Sequence, residues 1–197
     1  MRAKSVTEQA RRAQIVRAAI ETIAELDYAE TSFKAIAARA GLSSTGLISY
    51  HFKNKQELVD VVFADILGRF QEFVAERMGQ GTAKEELRAF LEANIEFVRA
   101  HRADMLAFLR IRTHAAVTDG GIADSDHVAL AELLRQGQEE GGFRVFDPDV
   151  MAVFILAMRN GVVLRSGALD LDVCERELVT AVELATGGWS CCAGGSC

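Results

Sequence analysis

Apolar residues recur along this chain at steps of three and four, with few alternating runs, so the pattern predicts helices nearly throughout. Ile15, Ala19, Ile23 and Leu26 share one side of a helix spanning Glu8 to Leu26. Phe33, Ile36, Ala37 and Ala40 form a compact second stripe, and Ser32 suits its N-cap because its oxygen accepts an orphan backbone amide. Gly41 stops that helix, since it enters the left-handed region without a Cβ penalty, and Leu42 folds back onto the stripe. A further short helix, capped by Ser43 or Ser44, runs to about Phe52 and turns Ile48 and Phe52 inward. Asn54 then caps another helix, with Glu57 completing a capping box and Lys55 in the first turn.

The rest of the chain continues in the same periodicity. From Gln56 to about Met78, Leu58, Val61, Val62, Ile66, Phe70, Phe73 and Val74 trace one face. After the GQGTAKEE break, Thr82 with Glu85 or Glu86 starts a helix that ends near His101. Asp104 to Val117 follows, then the polar TDGGIADSD loop, then a helix from Ser125 to Glu140 ended by EEGGF. Asp147 and Pro148 open a helix that is apolar around much of its circumference, and the last runs from about Asp172 to Thr186. These elements predict an all-α fold of about nine helices. A three-helix head with a helix-turn-helix occupies residues 1–55, a larger helical body residues 56–188, and a flexible tail residues 189–197. The last two helices carry more apolar surface than one inward face needs. Val153, Leu156, Val163, Leu164, Leu178 and Val182 are therefore candidates for a four-helix interface in a homodimer, with burial inside a monomer as the alternative.

Charge sharpens this division. The 197 residues are 50% hydrophobic, contain one proline and carry a net charge of -6. Residues 1–55 hold nine Lys/Arg against five Asp/Glu, which leaves a basic head on an acidic remainder. A basic head approaches phosphates that an acidic body would repel. The basic start lacks the apolar stretch of a secretory leader, and no segment has about 18 uninterrupted apolar residues, so a cytoplasmic protein without a membrane partner is expected. Cys174, Cys191, Cys192 and Cys197 crowd near the C terminus without metal-ligand spacing, and neither a metal nor another cofactor is expected.

Helix-turn-helix geometry selects the candidate DNA contacts. Ser43, Ser44, Thr45, Gly46 and Ser49 offer small groups for close approach to a major groove, although each hydroxyl taken alone also suits a cap or a plain surface position. Tyr50, His51, Lys55, Arg11, Arg12 and Lys4 are suited to phosphates, Lys55 with the help of the positive helix end. In the body, Phe63, Phe90, Phe97, Met105, Phe108, Phe154 and Met158 have the size of pocket walls, and Arg112, His114, His127 and Asn160 are candidate polar contacts for an effector. Each of the apolar residues alone also reads as core. No HExxH, paired carboxylates or activated Ser or Cys is present, so an enzyme is not expected.

The segment around Thr31, Ile36, Ala37, Ala40, Gly41, Ser43, Ile48, Tyr50, His51, Phe52, Asn54, Lys55 and Leu58 resembles the TetR family of bacterial transcription regulators. The AxxAG turn, the SYHF ending and the following NKxEL carry the resemblance over residues 8 to about 60, and GLISYHF looks like the choline-responsive betaine-synthesis repressor subgroup. The resemblance implies a dimer on a near-palindromic operator, most simply a repressor released by a small-molecule effector. Thr45 and Ser49 would lie near bases, and Tyr50, His51 and Lys55 at phosphates. Two departures stand out: Gly41 to Phe52 is one residue longer than the commonest pattern, and Ser49 stands where many relatives have Tyr. An activator, a helical ligand-binding or interaction protein with a vestigial head, and a dimeric adaptor are the other readings.

Overall fold

The computed structural model describes residues 6–79, 81–118 and 125–187, which form nine helices and no strand. They are α1 (Val6–Leu26), α2 (Phe33–Arg39), α3 (Gly46–His51), α4 (Lys55–Ala75), α5 (Ala83–Ala100), α6 (Arg102–Thr118), α7 (Ser125–Glu139), α8 (Pro148–Arg165) and α9 (Leu171–Thr186). The all-α expectation holds. Lys4 and the cysteines at 191, 192 and 197 lie outside the described residues; Cys174 is half-buried and free. No helix among the described residues is long and apolar enough to cross a membrane.

The chain divides into two compact units, neither of them continuous in sequence: Met1–Glu72 with Ala100–Ile122, and Phe73–Arg99 with Ala123–Cys197. In the first, α1 packs on both α2 and α6. Ile15, Ala19 and Ile23 of α1 are fully buried, as are Ile48 of α3, Leu58, Val62 and Ile66 of α4, and Met105 of α6. Asp104, in the first turn of α6, is 1% exposed and takes ion pairs from Arg17 of α1 and Arg69 of α4. One buried carboxylate thereby joins three helices. Arg110 of α6 also donates to the Ile23 carbonyl of α1, 2.9 Å away.

In the second unit α8 packs between α7 and α9. One face of α8 buries Met151, Ala152, Ile155, Leu156 and Val163. Arg159 shares that face and is 1% exposed. It donates to Asn94 of α5 at 3.2 Å, to Asp126 of α7 at 3.3 Å and to its neighbour Asn160 at 2.9 Å. Asn94 is itself anchored by its amide to the Phe90 carbonyl. The opposite face of α8 presents Val150, Val153, Phe154, Met158 and Leu164 to solvent, and α9 adds Val173 and Leu184. A helix with two apolar faces explains its lack of a polar stripe in the sequence.

Local signals set the helix ends. Asp147 accepts from the amides of Asp149 and Val150, with Pro148 at the first helical position. Thr82 and Glu85 form the capping box that starts α5, and these bonds lower the Glu85 pKa. The α7 end depends on Gly137: the turn at Gly141 (φ 73°) folds Phe143 back so tightly that a Cβ on Gly137 would stand 2.1 Å from its ring. Gly137→Ala is expected to destabilise the protein by about 1–3 kcal/mol through this overlap. Gly68→Ala, in open space on α4, should instead gain about 0.5–1 kcal/mol from reduced backbone freedom. Urea unfolding of the two variants checks both signs.

Candidate nucleic-acid interface

The turn between α2 and α3 is built from hydrogen bonds that the sequence dictates. Ser32 caps α2 by accepting from the Ala35 amide at 3.2 Å. Gly41 adopts φ 65°, its amide donates to the Ala38 carbonyl, and the Leu42 amide donates to Ala37 at 2.9 Å. This is a Schellman closure, and it needs the left-handed residue that glycine supplies. A contact from α1 reinforces it, because the Gln14 amide donates to the Ala40 carbonyl at 2.7 Å and in turn receives Arg11 at 2.7 Å.

Beyond the turn, α3 buries Ile48 and is followed by the buried C-cap Phe52. Its start differs from the expectation. Neither Ser43 nor Ser44 is the N-cap; the helix begins at Gly46 after Thr45, whose backbone is already helical and whose side chain makes no cap bond. With the extra residue in this segment, the two serines precede the helix. Ser43, Ser44, Thr45, Gly46, Ser49 and Tyr50 are all exposed, and Tyr50 meets His51 edge-on at 5.1 Å. They form a small-residue, hydroxyl-rich surface with Tyr50 at its far end.

The cations behave less uniformly. Arg12 is turned inward over the Phe52 ring, 4.9 Å from its centroid. Arg39 is tied to Glu21 and Glu25, and Arg17 to Glu21 and Asp104. Lys55 is half-buried: its ammonium donates to the Tyr28 carbonyl at 2.5 Å and lies 4.0 Å from the Tyr28 ring centroid. Burial lowers the Lys55 pKa. His114 stacks on Tyr28 at 3.9 Å. Tyr28 had no sequence signal, because its partners lie 27 and 86 positions away. Lys34 and Lys53, both exposed, were also passed over, although the KNK run pointed to Lys53.

Burial, then the nearby Asp60 charge, raises the Tyr28 pKa above 10.0. A raised phenol pKa favours the protonated folded form, so its stabilising effect is present below the unfolded value and is lost as pH rises through the folded one. An alkaline titration of phenolate absorbance should show a late component that Tyr28→Phe removes.

The effector candidates are divided between the units. Phe63, Met105, Phe108, Arg112 and His114 fall in the first, where Phe63 stacks on Phe108 at 4.9 Å and Arg112 lies 5.4 Å from the Phe108 ring. His114 packs on the α1–α2 loop residue Tyr28. Phe90, Phe97, His127, Phe154, Met158 and Asn160 fall in the second. Phe90 and Phe97 are buried, while Phe154 and Met158 point outward and so line no interior wall. His127 lies 3.0 Å from the Asp149 carbonyl, and Asn160 serves Arg159. Of the interface candidates, Val153 and Leu164 are exposed; Leu156, Val163, Leu178 and Val182 are filled into the chain's own core, because the helical period turns them to the inner faces. Among the described residues no group of His, Cys, Asp and Glu is placed to hold a metal.

Residues 15–62 match the family model of bacterial regulatory proteins, tetR family. The backbone of a Rhodococcus sp. RHA1 TetR-like transcriptional regulator superposes with a TM-score of 0.76 at 22% identity, over 93% of this chain and 98% of that one. The chain has the TetR-family regulator fold. A Saccharomonospora viridis protein of this TetR fold, solved in complex with choline, matches with a TM-score of 0.75 at 22% identity over 91% and 99% of the two chains. The Escherichia coli O17:K52:H18 (strain UMN026 / ExPEC) HTH-type transcriptional regulator BetI is 33% identical over 102 residues, 50% of this chain and 52% of BetI. The match thus spans about half the length of that curated relative.

Proposed function

We propose that this protein is a dimeric, ligand-responsive transcription regulator that binds a near-palindromic operator and, as a repressor, is released by a small effector. The observation that carries the reading is the uncovered surface from Ser43 to Tyr50, held on the buried anchors Ile48 and Phe52 behind a closed α2–α3 turn. Small hydroxyls there permit close approach of α3 to base edges, with Thr45 and Ser49 as base readers and Tyr50 and His51 at phosphates. Residues 1–55 act as the DNA-binding head and 56–188 as the effector and dimerisation body; residues 189–197, expected as a tail, lie outside the described residues. The outward row on α8 from Val150 to Leu164, with Val173 and Leu184 of α9, supports pairing of two copies. Two heads would then meet successive major grooves about 34–36 Å apart. No step of this reading needs catalysis or a cofactor.

The deciding experiment is selection from a random duplex library. Enrichment of one near-palindrome supports the reading, and recovery of no preferred sequence rejects it. Lys55 retains further N–H donors beyond the one given to Tyr28. Lys55→Ala should therefore weaken binding to all sequences alike and reduce the salt slope by about 1, whereas Thr45→Ala should change base preference. Titrations at several salt concentrations separate these effects. The similarity to the Saccharomonospora viridis structure solved in complex with choline makes choline the first effector to test against a retained duplex. Activation is the second reading; reporter transcription with the operator placed upstream of or across a promoter distinguishes it.

A further inference from the structure

An open groove of about 360 Å³ lies between α1 and α4, inside the first unit and apart from every residue assigned above to an effector. Its floor is apolar, with Val16 and Ile20 from α1 and Val61 from α4. Arg12, Arg17 and Arg69 stand around it, together with Asp65. Two of these arginines are compensated internally: Arg17 by Glu21 and Asp104, and Arg69 by Asp65 and Asp104. Among the described residues Arg12 has no ion-pair partner and faces the Phe52 ring. Its Nε is shielded from water and has no hydrogen-bond acceptor.

We propose that this groove is a binding site for a monocarboxylate with a short apolar body, held by Arg12. The volume lies at the lower end of the range for small-molecule pockets, about 300–1,000 Å³. A carboxylate matches the terminal amino groups of the Arg12 guanidinium, while the apolar body lies along Ala13 and Val61 over the buried Val16 and Ile20. One uncompensated cation beside Asp65 favours a single negative charge over a phosphate dianion. Arg12 also links the groove to α3, because the ring it faces belongs to that helix's C-cap.

The test uses the full chain with octanoate as probe, measured by calorimetry, and a photoactivatable octanoate analogue whose attachment point is mapped. Octanoate is expected to bind, with octanol and acetate both weaker, and the label to fall on α1 and α4 between residues 9 and 69. Arg12→Gln should weaken binding at least about tenfold. Ala13→Trp, at an exposed position in the groove wall, should block it by filling the space. Thermal melts like that of the parent for Arg12→Gln and Ala13→Trp establish that loss of binding is local. The proposal is overturned by absence of octanoate binding, by equal affinity in Arg12→Gln, by octanol binding as well as octanoate, or by labelling elsewhere. Octanoate binding is read without DNA, so its outcome is separate from that of operator selection.

Discussion

Replacing Arg159 with methionine is expected to lower the unfolding free energy by about 3–5 kcal/mol, the usual cost of removing one member of a buried charged pair. The guanidinium is 1% exposed and the Asp126 side chain 15%, so water offers little relief. Loss of the guanidinium leaves the Asp126 carboxylate without this partner and the Asn94 and Asn160 oxygens without this donor, in a core where each unmet polar group costs about 1–3 kcal/mol. Methionine fills much of the volume but donates nothing. The measurement is urea unfolding of wild type, Arg159→Met, Asp126→Asn and the double variant. A positive coupling, with the double variant recovering part of the loss, identifies the pair as the cause. A loss below about 1 kcal/mol would mean that the cluster contributes orientation rather than stability.

On the proposed pairing through α8, introducing glutamate at both Phe154 and Leu164 should yield a monomer and weaken operator binding by about 100-fold or more. The two side chains are 57% and 58% exposed on the outward face of α8, so the change leaves the protomer core intact. In a paired molecule, four added carboxylates would face one another across a desolvated patch, a repulsion that few contacts offset. Affinity then falls because the second head no longer binds as an intramolecular event; loss of linkage of this kind removes a factor of about 10²–10⁴. Sedimentation and duplex titration of the double variant check this. Val145→Glu is the control, because that residue is 91% exposed but lies off α8. A double variant that sediments like the parent would move the interface elsewhere.

Features written within a few residues of one another were legible in the chain. Ser32, Gly41, Asn54 with Glu57, Thr82 with Glu85, and Asp147 with Pro148 act on their own neighbours, and each appears at the helix end where its chemistry belongs. The start of α3 was misplaced because several adjacent hydroxyls compete for one role and local propensity does not rank them. Exposure on α8 was half legible: the excess of apolar residues was visible, but the period alone did not say which stripe faces inward, so Leu156 and Val163 were drawn to the wrong side. Lys55 on Tyr28, Arg12 on Phe52 and Arg159 on Asn94 were not legible at all. Those pairings join residues 27, 40 and 65 positions apart, and only the packed chain brings them together.

The return of α6 to the unit that holds α1 also bears on how the protein is made. A nascent chain that has emerged only as far as Glu72 lacks α6, one of the two helices on which α1 packs, and the carboxylate that joins α1 to α4 has not yet been translated. The unit that holds α1 to α3 therefore matures late, once roughly the first hundred and twenty residues are free of the ribosome. Until then α1 offers unsatisfied apolar surface to chaperones and proteases. An excised head ending at Glu72 inherits that incompleteness permanently, so this helix-turn-helix is poorly suited to transplantation as a stand-alone module.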